Sequence, residues 1–306
     1  MPAWNELLNE TKAAGSVHDV IRRKYLQRLS SHTKRNAIIY YSGWLQKPQL
    51  QRESGIELGI SDSDKNGFMS VIHKLDRSKG LDLILHTPGG DMAATESVID
   101  YLHAMFDRDV RAIIPQIAMS GGTIIALSCK SIFMGKESSI GPIDPQLGST
   151  SVVALLEEFD QIRDEIKKDP ANALLWEPIL RKINPGAITQ YRNAVQWSHD
   201  MAERFLQANM FAGDRRAKSK IDQIIQHLTD SKKTKNHGRH IAVDEARTIF
   251  GDHLVALEDD QKLQDLVLTI HHASIITLQS TGAYKMIENH TGRAFMQTVK
   301  MQIVGG

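Results

Sequence analysis

The residues most able to do chemistry in this chain are concentrated in two short glycine-bearing stretches and the loop that follows them. Ala118-Met119-Ser120-Gly121-Gly122-Thr123 places a serine between an apolar, β-branched run and a small-residue segment suited to a helix. A serine at such an elbow faces unpaired backbone N–H groups, which favour nearby negative charge. Upstream, Leu81-Asp82-Leu83-Ile84-Leu85-His86 runs into Thr87-Pro88-Gly89-Gly90-Asp91, again a strand delivering glycines to a helix start. Acyl transfer needs a nucleophile, a proton acceptor and donors placed where an oxyanion develops. Ser120 supplies the first. The N–H groups of Gly89 or Gly90 and of Gly121 supply the third, because glycine lets a substrate carbonyl approach the main chain.

These junctions need a scaffold that brings strand ends together. Strand 81–86, helix 92–105, strand 110–117, helix 121–129 and strand 131–134 alternate, which predicts α/β architecture with a parallel sheet. Ala37-Ile38-Ile39-Tyr40-Tyr41 reads as a further buried strand, and Ser61 to Asp64 offer N-caps for a helix carrying Phe68, Met69, Ile72 and Leu75. Gly135 to Thr150 forms a shaped loop rich in Gly, Pro and Ser. Residues 151–230 read as helical, with a long helix over 188–210, and 231–240 as a polar linker. A helix at 243–249, an extended piece at 252–257 and helices around 260–280 and 284–290 follow. Three units are therefore expected: an N-terminal helical segment over 1–35, a catalytic domain with helical insertion over 36–230, and a small α/β tail unit over 231–306.

With 306 residues, 41% hydrophobic and 24% charged, the composition is that of a globular protein. Thirty-seven Lys and Arg against thirty-six Asp and Glu leave no global field, so nucleic acid is not an expected partner. The single cysteine, Cys129, fits a reducing compartment and is expected to pack in the core. MPAWNELLNE has no basic region followed by an apolar core, and no run is long enough to span a bilayer. A cytoplasmic protein without a membrane anchor is expected. The basic residues Arg215, Arg216, Lys218, Lys220, Lys232, Lys233, Lys235 and Arg239 lack interleaved aromatics and read as a solvated face. His271-His272 lacks metal-ligand spacing, so neither a metal nor another cofactor is expected.

LHTPGGDM, AMSGGTIIALSCKSIFM and SSIGPIDPQLG resemble the Clp-fold serine proteinases related to signal peptide peptidase A, and most closely the serine dehydrogenase proteinases. NHGRHIAVDEARTIFGDHLVALEDD resembles the same branch, so the likeness covers roughly residues 36 to 290. It implies a Clp/crotonase-like spiral of ββα units with a helical C-terminal extension. It also implies a homo-oligomer (dimer-based or ring), ATP-independent peptide hydrolysis, Ser120 as nucleophile and an oxyanion loop at Gly89-Gly90. No P-loop occurs, so ATP-driven unfolding would need a separate ATPase partner.

The base is open at this stage. Where the Clp proteolytic subunit carries its histidine, this chain reads Gly141-Pro142-Ile143-Asp144. Signal peptide peptidases use a lysine, for which Lys167 and Lys168, or Lys130 and Lys136, are candidates. Alternatively His237 or His240 serves, with Asp144 as the orienting carboxylate. Two other functions compete with a peptidase: an inactive scaffold that binds peptides or a partner protein, and a crotonase-type acyl-CoA enzyme. Against the latter stand a serine at the elbow and no Glu placed after the second junction loop to act as acid or base.

Overall fold

The computed structural model describes residues 18–148, 150–230 and 236–299. The elements in chain order begin with α1 (His18–Thr33), β1 (Asn36–Ser42), α2 (Pro48–Ser54), α3 (Asp62–Ile72), β2 (Leu81–His86), α4 (Met92–Phe106), β3 (Val110–Ile114), β4 (Ile117–Ala118) and α5 (Gly121–Leu127). The middle of the chain supplies β5 (Ile132–Met134), β6 (Ser139–Ile140), β7 (Gln146–Leu147), β8 (Thr150–Ser151), α6 (Val152–Lys168), α7 (Ala173–Leu180) and α8 (Ala187–Ala208). It closes with α9 (Lys218–Thr229), β9 (Ile241–Ala242), α10 (Val243–Phe250), β10 (Leu254–Ala256), α11 (Gln261–Ser280), β11 (Ala283–Asn289) and β12 (Ala294–Thr298).

Seven strands form the main sheet in the order β10-β5-β3-β2-β1-β11-β12. The five from β10 to β1 run parallel; β11 pairs antiparallel to β1, and β12 to β11. Every residue of β1 and β2 is buried, as expected when a parallel sheet is covered on both faces. Alternation divides β1 between two cores. Ile38 and Tyr40 join the apolar residues of α3, α4, α5, α8 and α9, whereas Ala37, Ile39 and Tyr41 join those of α1 and α11.

Three expectations need correction. The run at 110–117 is two strands, β3 and β4, broken by Pro115, which has no N–H to give to a ladder. Residues 284–290 hold strand β11, not a helix. The stretch grouped as a tail unit does not stand apart, because β10, β11 and β12 complete the main sheet. Its buried charges are met by partners far along the chain. Glu288 pairs with Arg22 and Arg23 of α1, and Arg22 also donates to Thr277 of α11 at 2.8 Å. The expected helix before residue 18, and the basic residues Lys232, Lys233 and Lys235, lie outside the described residues.

Candidate active site

The site lies beyond the carboxyl ends of the parallel strands, where open α/β sheets hold ligands. A second, three-stranded sheet, β4-β6-β9, assembles it. Ala118 pairs with Ile140, and Ile140 pairs with Ile241. Ala118 also forms a parallel bridge to Thr87. One row of backbone pairing thus joins four segments: the Gly89-Gly90 turn, the Ser120 elbow, the loop reaching Asp144, and the stretch from His237 into β9. Thr123 locks two of them together. Its hydroxyl lies 3.0 Å from the carbonyl oxygens of Ala118 and Gly141, and it accepts the Gly141 N–H at 3.1 Å.

Ser120 caps α5 with φ 50° and ψ −115°. A non-glycine residue in that region costs about 1–3 kcal/mol and persists only where the surroundings enforce it. Here they do, because Met119 N–H bonds Thr87 O at 3.0 Å on one side and Gly122 N–H bonds Met119 O at 2.7 Å on the other. The result is a half-buried hydroxyl at the mouth of the helix, with no capping bond to its own backbone.

The glycine turn presses directly on this elbow. A Cβ on Gly89 would fall 2.6 Å from Ser120 Cβ and 2.8 Å from Gly121 N, and φ at Gly89 is +94°. A Cβ on Gly90 would fall 2.1 Å from Ile60 N. Both positions therefore require glycine. The turn is pinned to residues 59–60, with Ile60 N–H donating to Gly89 O at 2.7 Å and Asp91 N–H to Ile60 O at 2.9 Å. In that parallel bridge the Gly90 N–H points away from Ile60. Among the described residues the Gly90 and Gly121 N–H groups have no hydrogen-bond acceptor, whereas Gly89 N–H is taken by Thr87 Oγ1 at 3.2 Å. Gly90 N lies 3.5 Å from the point where a Cβ of Gly121 would stand. Two open donors thus sit side by side next to the serine.

Asp144 is 3% exposed, and both of its carboxylate oxygens are engaged. His237 Nδ1–H donates to Oδ1 at 2.8 Å, and Gln146 Nε2–H donates to Oδ2 at 2.8 Å. The preceding residue is fixed from two helices, since Ile143 N–H bonds Leu228 O at 3.0 Å and Ser198 Oγ–H bonds Ile143 O at 2.7 Å. With Nδ1 committed to Asp144, Nε2 is the nitrogen of His237 left for proton transfer. Ser120, Gly89, Gly90, Gly121, Asp144 and His237 all line one cavity of about 600 Å³.

The other proposed bases lie elsewhere. Lys167 is on the solvent face of α6, its side chain 69% exposed and 4.0 Å from Asp164. Lys136 and Lys168 are exposed, and Lys130 pairs with Asp109 at 3.2 Å. No lysine lines the cavity among the described residues. His240 Nδ1 is 2.8 Å from Ser139 Oγ, because the β6–β9 register points it away from Asp144. Cys129 is buried, its thiol pushed up to about 12 by burial. His86, at the end of β2 just before the glycine turn, is wholly buried against Trp44, Tyr41 and His271, and burial lowers its pKa to about 3. No cluster of His, Cys, Asp and Glu among the described residues could hold a metal ion. Likewise, no described helix is long and apolar enough to cross a membrane.

Sequence reading missed Gln146, Thr87 and Thr123. Gln146 was readable in principle, since it stands two residues from Asp144. Thr123 acts through hydroxyl contacts to the Ala118 and Gly141 carbonyls, and Thr87 through backbone bonds to Ile117 and Met119, neither of which a local pattern announces.

A family described as ClpP-like SDH-type serine proteinases matches residues 56–252. One uncharacterised protein of Methanocaldococcus jannaschii is 29% identical over 235 residues, covering 74% of this chain and 71% of its own length. A second uncharacterised protein of that organism is 34% identical over 110 residues, covering 35% of this chain and 37% of its own.

Proposed function

Because the chain belongs to the ClpP-like SDH-type serine proteinases, we propose that it is a serine peptidase whose nucleophile is Ser120, whose base is His237 and whose orienting carboxylate is Asp144. The observation that carries this reading is the row of pairing Thr87–Ala118–Ile140–Ile241, which gathers hydroxyl, open amides, carboxylate and imidazole around one cavity.

In the reaction, Ser120 Oγ attacks the carbonyl carbon of a bound peptide while His237 Nε2 takes the hydroxyl proton. The negative charge that develops on the carbonyl oxygen is met by the Gly90 and Gly121 N–H groups. One such donor is worth about 3–4 kcal/mol of barrier when it is already in place. Asp144 holds the imidazole in the tautomer with Nδ1 protonated and stabilises the imidazolium. His237 then returns its proton to the leaving amine, and a water activated by the same nitrogen releases the acyl group from Ser120. None of these steps draws on ATP.

The test is labelling of the full chain with a fluorophosphonate probe, followed by peptide mapping. Ser120 should be the modified residue, and Ser120→Ala should abolish both labelling and hydrolysis of an unfolded protein substrate. Hydrolysis that persists in Ser120→Ala would remove the assignment.

A further inference from the structure

Lys285 lies on β11, outside the cavity, and is 1% exposed. A buried ammonium needs close partners. Its Nζ donates to Gly59 O at 2.7 Å, to Ser61 Oγ at 3.3 Å, and lies 3.1 Å from both oxygens of the Asp64 carboxylate. Asp64 is itself fully buried. Its Oδ2 also accepts the Tyr40 hydroxyl at 2.8 Å and the Ser61 N–H at 2.9 Å. Burial first, then the Asp64 charge, holds the Tyr40 phenol well above its ordinary pKa, so the phenol stays a donor.

Gly59 O, the acceptor of the Lys285 bond, belongs to the segment on which the oxyanion turn rests. Gly59 packs so closely that a Cβ there would stand 2.9 Å from Gly89 O and 3.0 Å from Gly90 Cα. The next residue, Ile60, makes both backbone bonds to the turn. Displacement of 59–60 therefore passes to Gly90 with no slack between them.

We propose that the buried Lys285–Asp64–Tyr40 cluster is a positioning device that sets where the Gly90 N–H stands relative to Ser120. This inference builds on the serine-hydrolase reading of the same site. It gives a reason for a lysine inside the sheet: an apolar side chain at 285 would leave Gly59 O and the Asp64 carboxylate without their shared donor. The ammonium fastens strand β11 to the back of the oxyanion turn.

The experiment compares Lys285→Met/Asp64→Asn, which removes both buried charges together, with Lys285→Arg and with Arg111→Met. The last breaks a partly buried ion pair, Arg111 to Asp82 at 2.7 Å, near the opposite end of β2. Fluorophosphonate labelling at several probe concentrations separates the limiting rate from the probe's dissociation constant. The double variant should lose about 10–100-fold in limiting rate, as expected for a donor displaced by a fraction of an ångström to an ångström. Its dissociation constant should stay within about twofold and its pH profile unchanged. Lys285→Arg should recover most of the rate, and Arg111→Met should lower the melting temperature without touching it. Hydrogen exchange at residues 89–91 should quicken in the double variant while β3 stays protected.

A folded double variant with the wild-type limiting rate overturns the proposal and leaves the hydrolase reading intact. Failure of the wild-type protein to label at Ser120 overturns the hydrolase reading instead. In that case the exchange arm decides alone, and unchanged exchange at 89–91 ends the proposal.

Discussion

Replacing Asp144 by Asn tests the site at the point where geometry predicts the largest effect. The substitution keeps the size of the side chain and an oxygen able to accept the His237 Nδ1–H, but removes the charge that faces it at 2.8 Å. With charge centres about 4 Å apart and an effective dielectric near 20, an imidazolium beside this carboxylate is stabilised by roughly 4 kcal/mol. That corresponds to about three decades in rate. The side chain of His237 is 24% exposed, and water screening pulls the figure down. Loss of the favoured tautomer pushes it up, toward about 10⁴-fold. A fall of about 10³-fold in the limiting rate of fluorophosphonate labelling is therefore expected, with little change in probe affinity. Lys167→Ala, measured beside it, should stay within about twofold of wild type, because that side chain sits in solvent on α6. Asp144→Asn at near wild-type rate, together with a large loss in Lys167→Ala, would refute the Ser–His–Asp arrangement in favour of a Ser–Lys pair.

Two further outcomes follow from the same geometry. Gly89→Ala should abolish labelling at Ser120 and lower the melting temperature, because its Cβ would overlap Ser120 Cβ and the backbone at φ +94° costs about 1–3 kcal/mol; wild-type labelling in this variant would show that the turn has room to spare. Acid stability should depend on His86 and His271. Burial pushes His86 down to about 3, and burial first, then the charges of His86 and His272, takes His271 well below its ordinary value. The unfolded chain thus binds protons that the fold refuses, so stability is lost as pH falls below about 6.5, by about 2 kcal/mol between pH 7 and 5 for His86, with His271 adding a share of the same sign. His86→Phe should remove one of these shares in urea midpoints measured at both pH values, and an unchanged difference would refute the assignment.

The glycine turns and the Ser120 elbow were legible in the sequence because their chemistry is local: apolar strand, glycine, then small-residue helix. The alternation that announces the parallel strands is local in the same sense. Choosing between His237 and His240 was not, since only two residues of polar linker separate them. The choice is made by the pairing of Ile241 with Ile140, which sends His240 to Ser139 and leaves His237 at Asp144. Strand β11 was obscured for a related reason. Lys285 and Glu288 interrupt its apolar pattern, and both are buried only because Asp64, Arg22 and Arg23 come from distant elements to meet them. A hydrophobic pattern cannot register a charge whose counter-charge lies more than two hundred residues away.

The separation of Ser120 from His237 along the chain has a consequence for synthesis. A ribosome that has emitted the first two hundred residues has produced the serine, both glycine turns and the aspartate, yet not His237, the proposed base. On the proposed mechanism, the set of Ser120, Asp144 and His237 is complete only when the segment after α9 docks as β9 against β6. On that mechanism the nascent polypeptide carries no complete set of reacting groups during most of translation.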